Sequence, residues 1–284
     1  MFLERRVSPS APTELIELSG PDAAAFAQAQ FCNDIAALTP GASQLNAWLN
    51  PQGRVRRLFH LLRAEEDRFL LLLRGGGAAS LLPTLRMFVL RLKVRLQVLS
   101  GWHWAEAATD AAPPDGAWPL ALPGGRRLLL REGAAVEGLP FAQTLARDID
   151  AGLPWLPAPA LEQLLPSWME FARLGALSHH KGCYPGQEIV ARLHFRGGGD
   201  KRVPVRLAAA DHAALHEVSA LRDAAGGEAG LLLQQVKMPD GSGLALAVVR
   251  RELAETGSVL QGGETALQVL PATWNATAAA SETT

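Results

Sequence analysis

Cysteine is scarce: the 284 residues contain two, Cys32 and Cys183, far apart in the chain. Two thiols cannot build a disulfide scaffold, and without a CxxC pair they cannot make a four-thiolate zinc or iron–sulfur site within one chain. A reduced, cytoplasmic setting is expected. No run of 18 or more apolar residues occurs, so no membrane-spanning helix is expected, and the first twenty residues lack the apolar stretch of a signal peptide. Neither sign of charge dominates: 27 basic side chains face 28 acidic ones, for a net charge of −1. That balance removes the electrostatic case for a dedicated nucleic-acid binder. Arginines and lysines nevertheless gather early, at Arg54, Arg56, Arg57 and Arg63 and again at Arg86, Arg91, Lys93 and Arg95. The seven histidines show no ligand spacing; His212 and His216 are four apart, but two histidines make an incomplete site, so no metal is expected. No long exposed apolar stripe is evident, and a monomer is expected.

Apolar residues make up 48% of the chain and charged residues 19%, the balance of a folded chain long enough for two or three modest domains. Glu14–Leu18 alternates as a strand, Asp22 is placed to cap a helix, and Ala23–Gln30 favours that helix. Two strand-like runs, Leu45–Leu49 and Arg54–Leu62, flank Asn50-Pro51-Gln52-Gly53, whose Pro and Gly suit a tight hairpin turn. Arg68–Leu73 reads as a strand, Ala78–Phe88 as a helix and Leu90–Leu99 as a strand with Leu90, Leu92, Val94, Leu96 and Val98 on one face. Trp102 and Trp104 share a strand face and read as core or groove wall. A hinge is expected near 105–118, a strand at Arg127–Arg131 and a proline-rich loop over 148–166. Beyond Lys201 short alternating runs (203–207, 230–236, 244–249 and 266–269) are separated by Gly, Asp and Ser turns, the pattern of a small antiparallel barrel. An α+β body over 1–202, a β-barrel over 203–275 and a frayed tail over 276–284 are therefore expected.

One segment carries chemistry. In Lys181-Gly182-Cys183-Tyr184-Pro185-Gly186-Gln187-Glu188 the two glycines permit turns or close approach, and Pro185 holds Tyr184 extended. Cys183 thus sits on a constrained loop with Lys181 two residues away, and a nearby ammonium favours the reactive thiolate. The alternative is a small buried side chain, the commoner fate of a lone cysteine. Gln187–Arg192 continues as helix or strand.

The stretch His180–Arg192, HKGCYPGQEIVAR, resembles the signature of the YgfZ-type folate-binding proteins, relatives of the glycine-cleavage T-protein. The likeness extends to Phe26–Asp34 (FAQAQFCND, with Gln30 and Asp34 in place), Leu49–Arg54, Ile149–Pro154 (IDAGLP), Gly197–Arg202, Gly230 and Val236-Lys237. The resemblance implies a T-protein-like folate-binding body of ferredoxin-like α+β subdomains, with the small barrel behind it. It implies tetrahydrofolate as ligand and iron–sulfur client enzymes as partners, among them radical-SAM enzymes that modify tRNA. Within that resemblance Asp150 takes the place of the carboxylate that grips the pterin through two parallel N–H bonds, one methylene shorter than the usual glutamate; unaided, it reads as an ordinary turn residue. Arg54, Tyr184, Gln187 and Glu188 are the further cofactor-binding candidates, and Cys183 with Lys181 the reactive pair. Where a true aminomethyltransferase carries its catalytic acid, this chain has Arg56 and Arg57, which cannot stabilise a cationic iminium. The resemblance therefore implies an accessory protein in place of a folate-dependent one-carbon transferase; a scaffold that binds no folate is the third reading.

Overall fold

The structure, a computed structural model, describes residues 11–12, 14–197, 201–215 and 219–274. The first ten residues, residues 198–200, His216 and the tail expected over 276–284 lie outside the described residues. The chain divides into two compact units, each assembled from separate segments: one takes the chain up to Leu49, Arg56–Thr144 and Gly175–Pro185, the other Asn50–Val55, Leu145–Leu174 and the chain from Gly186 onward.

The first unit contains β1 (Ala11–Pro12), β2 (Leu15–Ser19), α1 (Ala23–Gln30), β3 (Ser43–Leu49), most of β4 (Val55–Glu65), β5 (Arg68–Leu73), α2 (Ala78–Arg86), β6 (Arg95–Leu99), β7 (Trp102–Glu106), β8 (Ala117–Ala121), β9 (Arg127–Glu132) and the start of α3 (Phe141–Asp150). Its larger sheet runs β3-β4-β5-β2-β6, and a second sheet runs β1-β7-β9-β8. One face of the larger sheet presents Ile16, Leu18, Phe59, Leu61, Phe69, Leu71 and Leu73 to Phe26, Leu81 and Leu85 of the helices. The alternate residues Leu15, Leu58, Leu62, Leu70 and Leu72 are buried as well, which is why β4 and β5 read as continuous apolar runs. Trp102 and Trp104 are core residues of β7.

The second unit holds α4 (Gln187–Arg196) and a closed six-stranded antiparallel barrel of β10 (Arg202–Ala209), β11 (Ala220–Arg222), β12 (Glu228–Lys237), β13 (Gly243–Arg250), β14 (Val259–Gly262) and β15 (Thr265–Leu270), with the short α5 (Arg251–Glu255) after β13. Closure leaves no free edge. The interior is narrow: Ala245 and Ala247 alternate inward on β13 against Val205, Leu207, Leu232 and Leu267. Gly230 fits because a Cβ there would lie 2.1 Å from the Val248 carbonyl oxygen. The fold is thus α+β with a terminal β-barrel, as the sequence pattern predicts.

Three local expectations change. Asp22 does not cap α1 with its side chain; its Oδ2 accepts the Lys93 backbone N–H at 2.7 Å instead. The helix over 78–86 and the strand that follows are separated by tight turns through residues 87–94, with Leu90 at φ +49°, so the alternation from Leu90 to Val94 belongs to no strand. α3, over a stretch given no element, ends three residues into the segment read as loop from 148; Pro140 before it and Phe141, Leu145 and Ile149 at helical spacing were the available signal.

His60 lies fully buried on β4, 3.2 Å from Arg74 Nη1 through its Nε2. Arginine only donates, so Nε2 accepts and the ring is neutral with the proton on Nδ1, which has no partner. Burial first, then the charges of Arg74 and Arg126, hold its pKa well below 6.5. Below pH 6.5 the unfolded chain takes up a proton that the folded chain refuses, so this contribution to stability is complete above that pH and is lost as pH falls. The free energy of urea unfolding should drop between pH 6.5 and 5 by about 1 kcal/mol per pH unit more in the native chain than in His60→Gln; equal slopes would remove His60 as the cause.

Candidate functional site

The end of α1 explains the position of the cysteine segment. A helix leaves its last carbonyls without intrahelical donors and carries partial negative charge at that end. Lys181 supplies both needs: its Nζ donates to the carbonyls of Gln28 (2.6 Å), Phe31 and Asn33 (3.1 Å), with the Tyr184 ring centroid 5.2 Å away. Lys181 is only 8% exposed, and burial draws its pKa down to about 8 against the opposing influence of Cys32 and Asp34. Its ammonium is thus directed to the helix end. Burial also pushes the Tyr184 hydroxyl pKa upward.

Further bonds run in the same direction. Asn33 Nδ2 donates to Gly175 O at 2.7 Å, the Cys32 thiol to Ala176 O at 3.3 Å, and Ser178 N to Cys32 O at 3.0 Å. Asn46, completely buried, accepts from the backbone N–H groups of Asn33 and Ala47, each at 2.9 Å. The structure therefore brings the 28–34 segment and the 175–184 segment together, about 150 residues apart in sequence. Cys32 is a packing residue, its thiol pKa raised to about 12 by burial. Cys183 is exposed, reduced and without a hydrogen-bond partner among the described residues. Beside this clasp, Gln30 keeps its Oε1 buried and without a partner.

In the second unit the hairpin turn is seated on the start of α4. Asn50 N donates to Arg54 O, Arg54 N to the Asn50 side chain and Gly53 N to Asn50 O, each at 2.9 Å, while Asn50 Nδ2 reaches Glu162 at 3.1 Å. Gly186 caps α4 at φ +81°, where a Cβ would stand 2.6 Å from Asn50 O and 2.8 Å from Gly53 Cα. Backbone meets backbone there, and only glycine satisfies both the space and the φ. Gln187 and Glu188 open α4, with Glu188 exposed in its first turn. The Arg54 guanidinium lies 5.2 Å over the Trp168 ring and Arg202 lies 5.3 Å from it, while Arg54 also donates to Gln163 O. Trp168 was hidden from sequence reading by the proline-rich stretch around it.

Asp150 ends α3. Its Oδ1 pairs with Arg206 Nη2 at 2.7 Å, its backbone oxygen accepts from Thr273 Oγ1 at 2.5 Å, and its side chain stays 48% exposed. Gly152, at φ +64°, leaves room for Arg173 and Trp274. The neighbouring Asp148 is completely buried and accepts from Trp155 Nε1 at 2.9 Å, a partner the sequence did not disclose. Arg56 stacks 4.7 Å over Trp48, and Arg57 donates to Arg56 O and Ser80 Oγ, so the positions of the expected catalytic acid hold engaged cations.

These elements define a protein of the aminomethyltransferase T fold. Residues 11–104 match the GCVT N-terminal domain family. The crystal structure of glycine cleavage system aminomethyltransferase T from Bartonella henselae superposes with a TM-score of 0.61 at 17% identity, covering 94% of this chain and 84% of that one. Among sequences, the tRNA-modifying protein YgfZ of Enterobacter sp. (strain 638) is 30% identical over 219 residues, 66% of this chain and 67% of the relative. The protein of the same name from Cronobacter sakazakii (strain ATCC BAA-894) is 28% identical over 282 residues, 87% of this chain and 85% of the relative. The chain belongs to the YgfZ family.

Removing the Lys181 charge while keeping its stem, as in Lys181→Met, strands buried carbonyls at the end of α1. Stability to urea should fall by about 1–3 kcal/mol, and Gly186→Ala should cost a similar amount through its φ and the Asn50 contact. Wild-type midpoints in either variant would contradict the respective contact.

Proposed function

We propose that this protein is a tetrahydrofolate-binding accessory factor that supports iron–sulfur enzymes, radical-SAM tRNA-modifying enzymes among them, and that Cys183 is its reactive thiol. The observation that carries the proposal is the clasp around Lys181, which fastens the start of the signature segment and leaves one exposed cysteine on it. The name of the relatives, tRNA-modifying protein, supports the choice of client. Folate contacts are assigned to Asp150, Arg54, Gln187 and Glu188, with Tyr184 the remaining candidate. Asp150 suits such a ligand: it keeps Oδ2 available while Oδ1 is held by Arg206. A single oxygen receives one pterin N–H, in place of the paired grip of an unencumbered carboxylate. When bound, a reduced folate supplies a ring nitrogen able to carry a one-carbon unit. Asp150 orients the ring, Arg54 offers positive charge to the acidic tail, and Lys181 positions the cysteine loop. A monomer acting in the cytoplasm fits this role; no helix among the described residues is long and apolar enough to cross a membrane.

A one-carbon transferase of the T-protein kind is the second reading, and the engaged cations Arg56 and Arg57 weigh against it. Formation of methylenetetrahydrofolate from an aminomethyl donor would reverse this order.

Calorimetric titration with tetrahydrofolate under reducing conditions should show saturable binding that Asp150→Ala weakens by about tenfold or more. Cys183→Ser should bind folate like the native chain yet fail to restore client-enzyme activity in a strain lacking the protein. No heat at millimolar ligand removes folate from the proposal, and full restoration by Cys183→Ser removes the thiol.

A further inference from the structure

We infer that residues 86–95 of the first unit form a docking loop for an acidic segment of a partner protein that presents a large apolar side chain. Of the large apolar side chains exposed among the described residues, Met87 (66%), Leu90 (86%), Leu92 and Val98 fall within this loop and the strand after it, and only Phe195 and Val259 lie elsewhere. The loop is not frayed. Phe88 meets Trp48 edge to face at 5.8 Å, and Phe88, Val89 and Val94 pack on the core beneath the sheet. Backbone bonds from Phe88 to Leu85, Val89 to Arg86 and Leu92 to Val89 fold it into successive tight turns. Its far end is pinned where Lys93 N meets Asp22, and where the Lys93 carbonyl lies against Gly20, at which a Cβ would come within 2.3 Å. Arg86 closes the other end on Leu96 O at 2.8 Å.

Within this fixed frame the outward side chains are costly for an isolated chain. Leu90 sits at φ +49°, a conformation that disfavours leucine, and it exposes nearly its whole side chain there. Strain kept without any burial in return points to a use outside the chain. Phe88, Val89, Leu90, Arg91 and Leu92 line a shallow apolar hollow. Around it stand the exposed Arg86, Arg91, Lys93 and Arg95, and no acidic residue occurs between Asp67 and Glu106. The side chains of Arg91, Lys93 and Arg95 make no ion pair among the described residues. Asp22 is engaged with Lys93 N, and Glu17 with Arg68 and Gln97.

Charge complementarity therefore selects an acidic partner, and the rigid hollow selects an inserted apolar side chain. Nucleic acid would call for exposed aromatic stacking platforms, which this loop lacks. The fixed backbone lowers the ordering cost of association. This surface stands whether or not folate binds.

The test is selection of phage-displayed random peptides of about twelve residues on the full-length protein, followed by affinity measurement with the synthetic winners. Expected are peptides that set Asp or Glu around Leu, Ile, Phe or Met, with affinity falling by about tenfold or more in Leu90→Asn and in Arg91→Glu, and falling with added salt. Asparagine tolerates the left-handed backbone, so Leu90→Asn should raise the unfolding midpoint while it loses binding; damage to the fold would lower both. The inference is overturned if recovered peptides lack this chemistry or bind both variants normally. It is equally overturned if the same substitutions instead abolish sedimentation with phosphatidylglycerol vesicles, retention of single-stranded RNA, or self-association.

Discussion

The contact between the Lys181 ammonium and the last carbonyls of α1 is the constraint on which the signature segment depends. A helix end buried without donors is unfavourable, and a buried ammonium without acceptors is more so; each removes the other's penalty. The pairing fixes where residues 175–185 run, and the shape of the loop leaves Cys183 outside while Tyr184 turns in. Cys32, by contrast, spends its thiol on Ala176 O in the interior. Two cysteines of one chain thus occupy opposite environments, one of them made inert by burial.

Much of this arrangement was legible beforehand, for reasons that can be named. β15 and the second half of β10 alternate because one face is buried and the other is wetter, whereas β13 is buried along nearly its whole length and β12 along most of its own, so these two are recognised by their apolar runs. β11 and β14 are too short for a period to register. The run from Leu90 to Val98 misleads for a physical reason: Leu90 and Leu92 alternate with Arg91 and Lys93 in sequence, yet all four stand exposed on turns, and a two-residue period of residue types does not distinguish that from a strand. The pairing of the 28–34 and 175–184 segments was not legible in the sequence. Nothing in residue spacing reveals that a lysine will reach backbone carbonyls so distant in sequence.

The candidate site was harder to read than the fold. Residue types at Asp150 and Arg54 suggest chemistry, but their partners decide it. Arg206, from the barrel, takes one oxygen of Asp150, and Trp168 lies between Arg54 and Arg202. Neither Arg206 nor Trp168 carries a local signature. Asp150 therefore enters any recognition event as half of an ion pair, with one acceptor oxygen pre-oriented and the other open to a ligand.

The clasp on α1 has an evolutionary corollary. Lys181 recognises Gln28, Phe31 and Asn33 through their main-chain oxygens. The side chains at those three positions can drift without breaking these bonds, provided the helix end keeps its path. A one-residue insertion or deletion between α1 and Asn33, by contrast, would rotate the carbonyls away together. The three Lys181 bonds are thus indifferent to spelling and intolerant of length, while Cys32 and Asn33 add bonds that depend on their side chains.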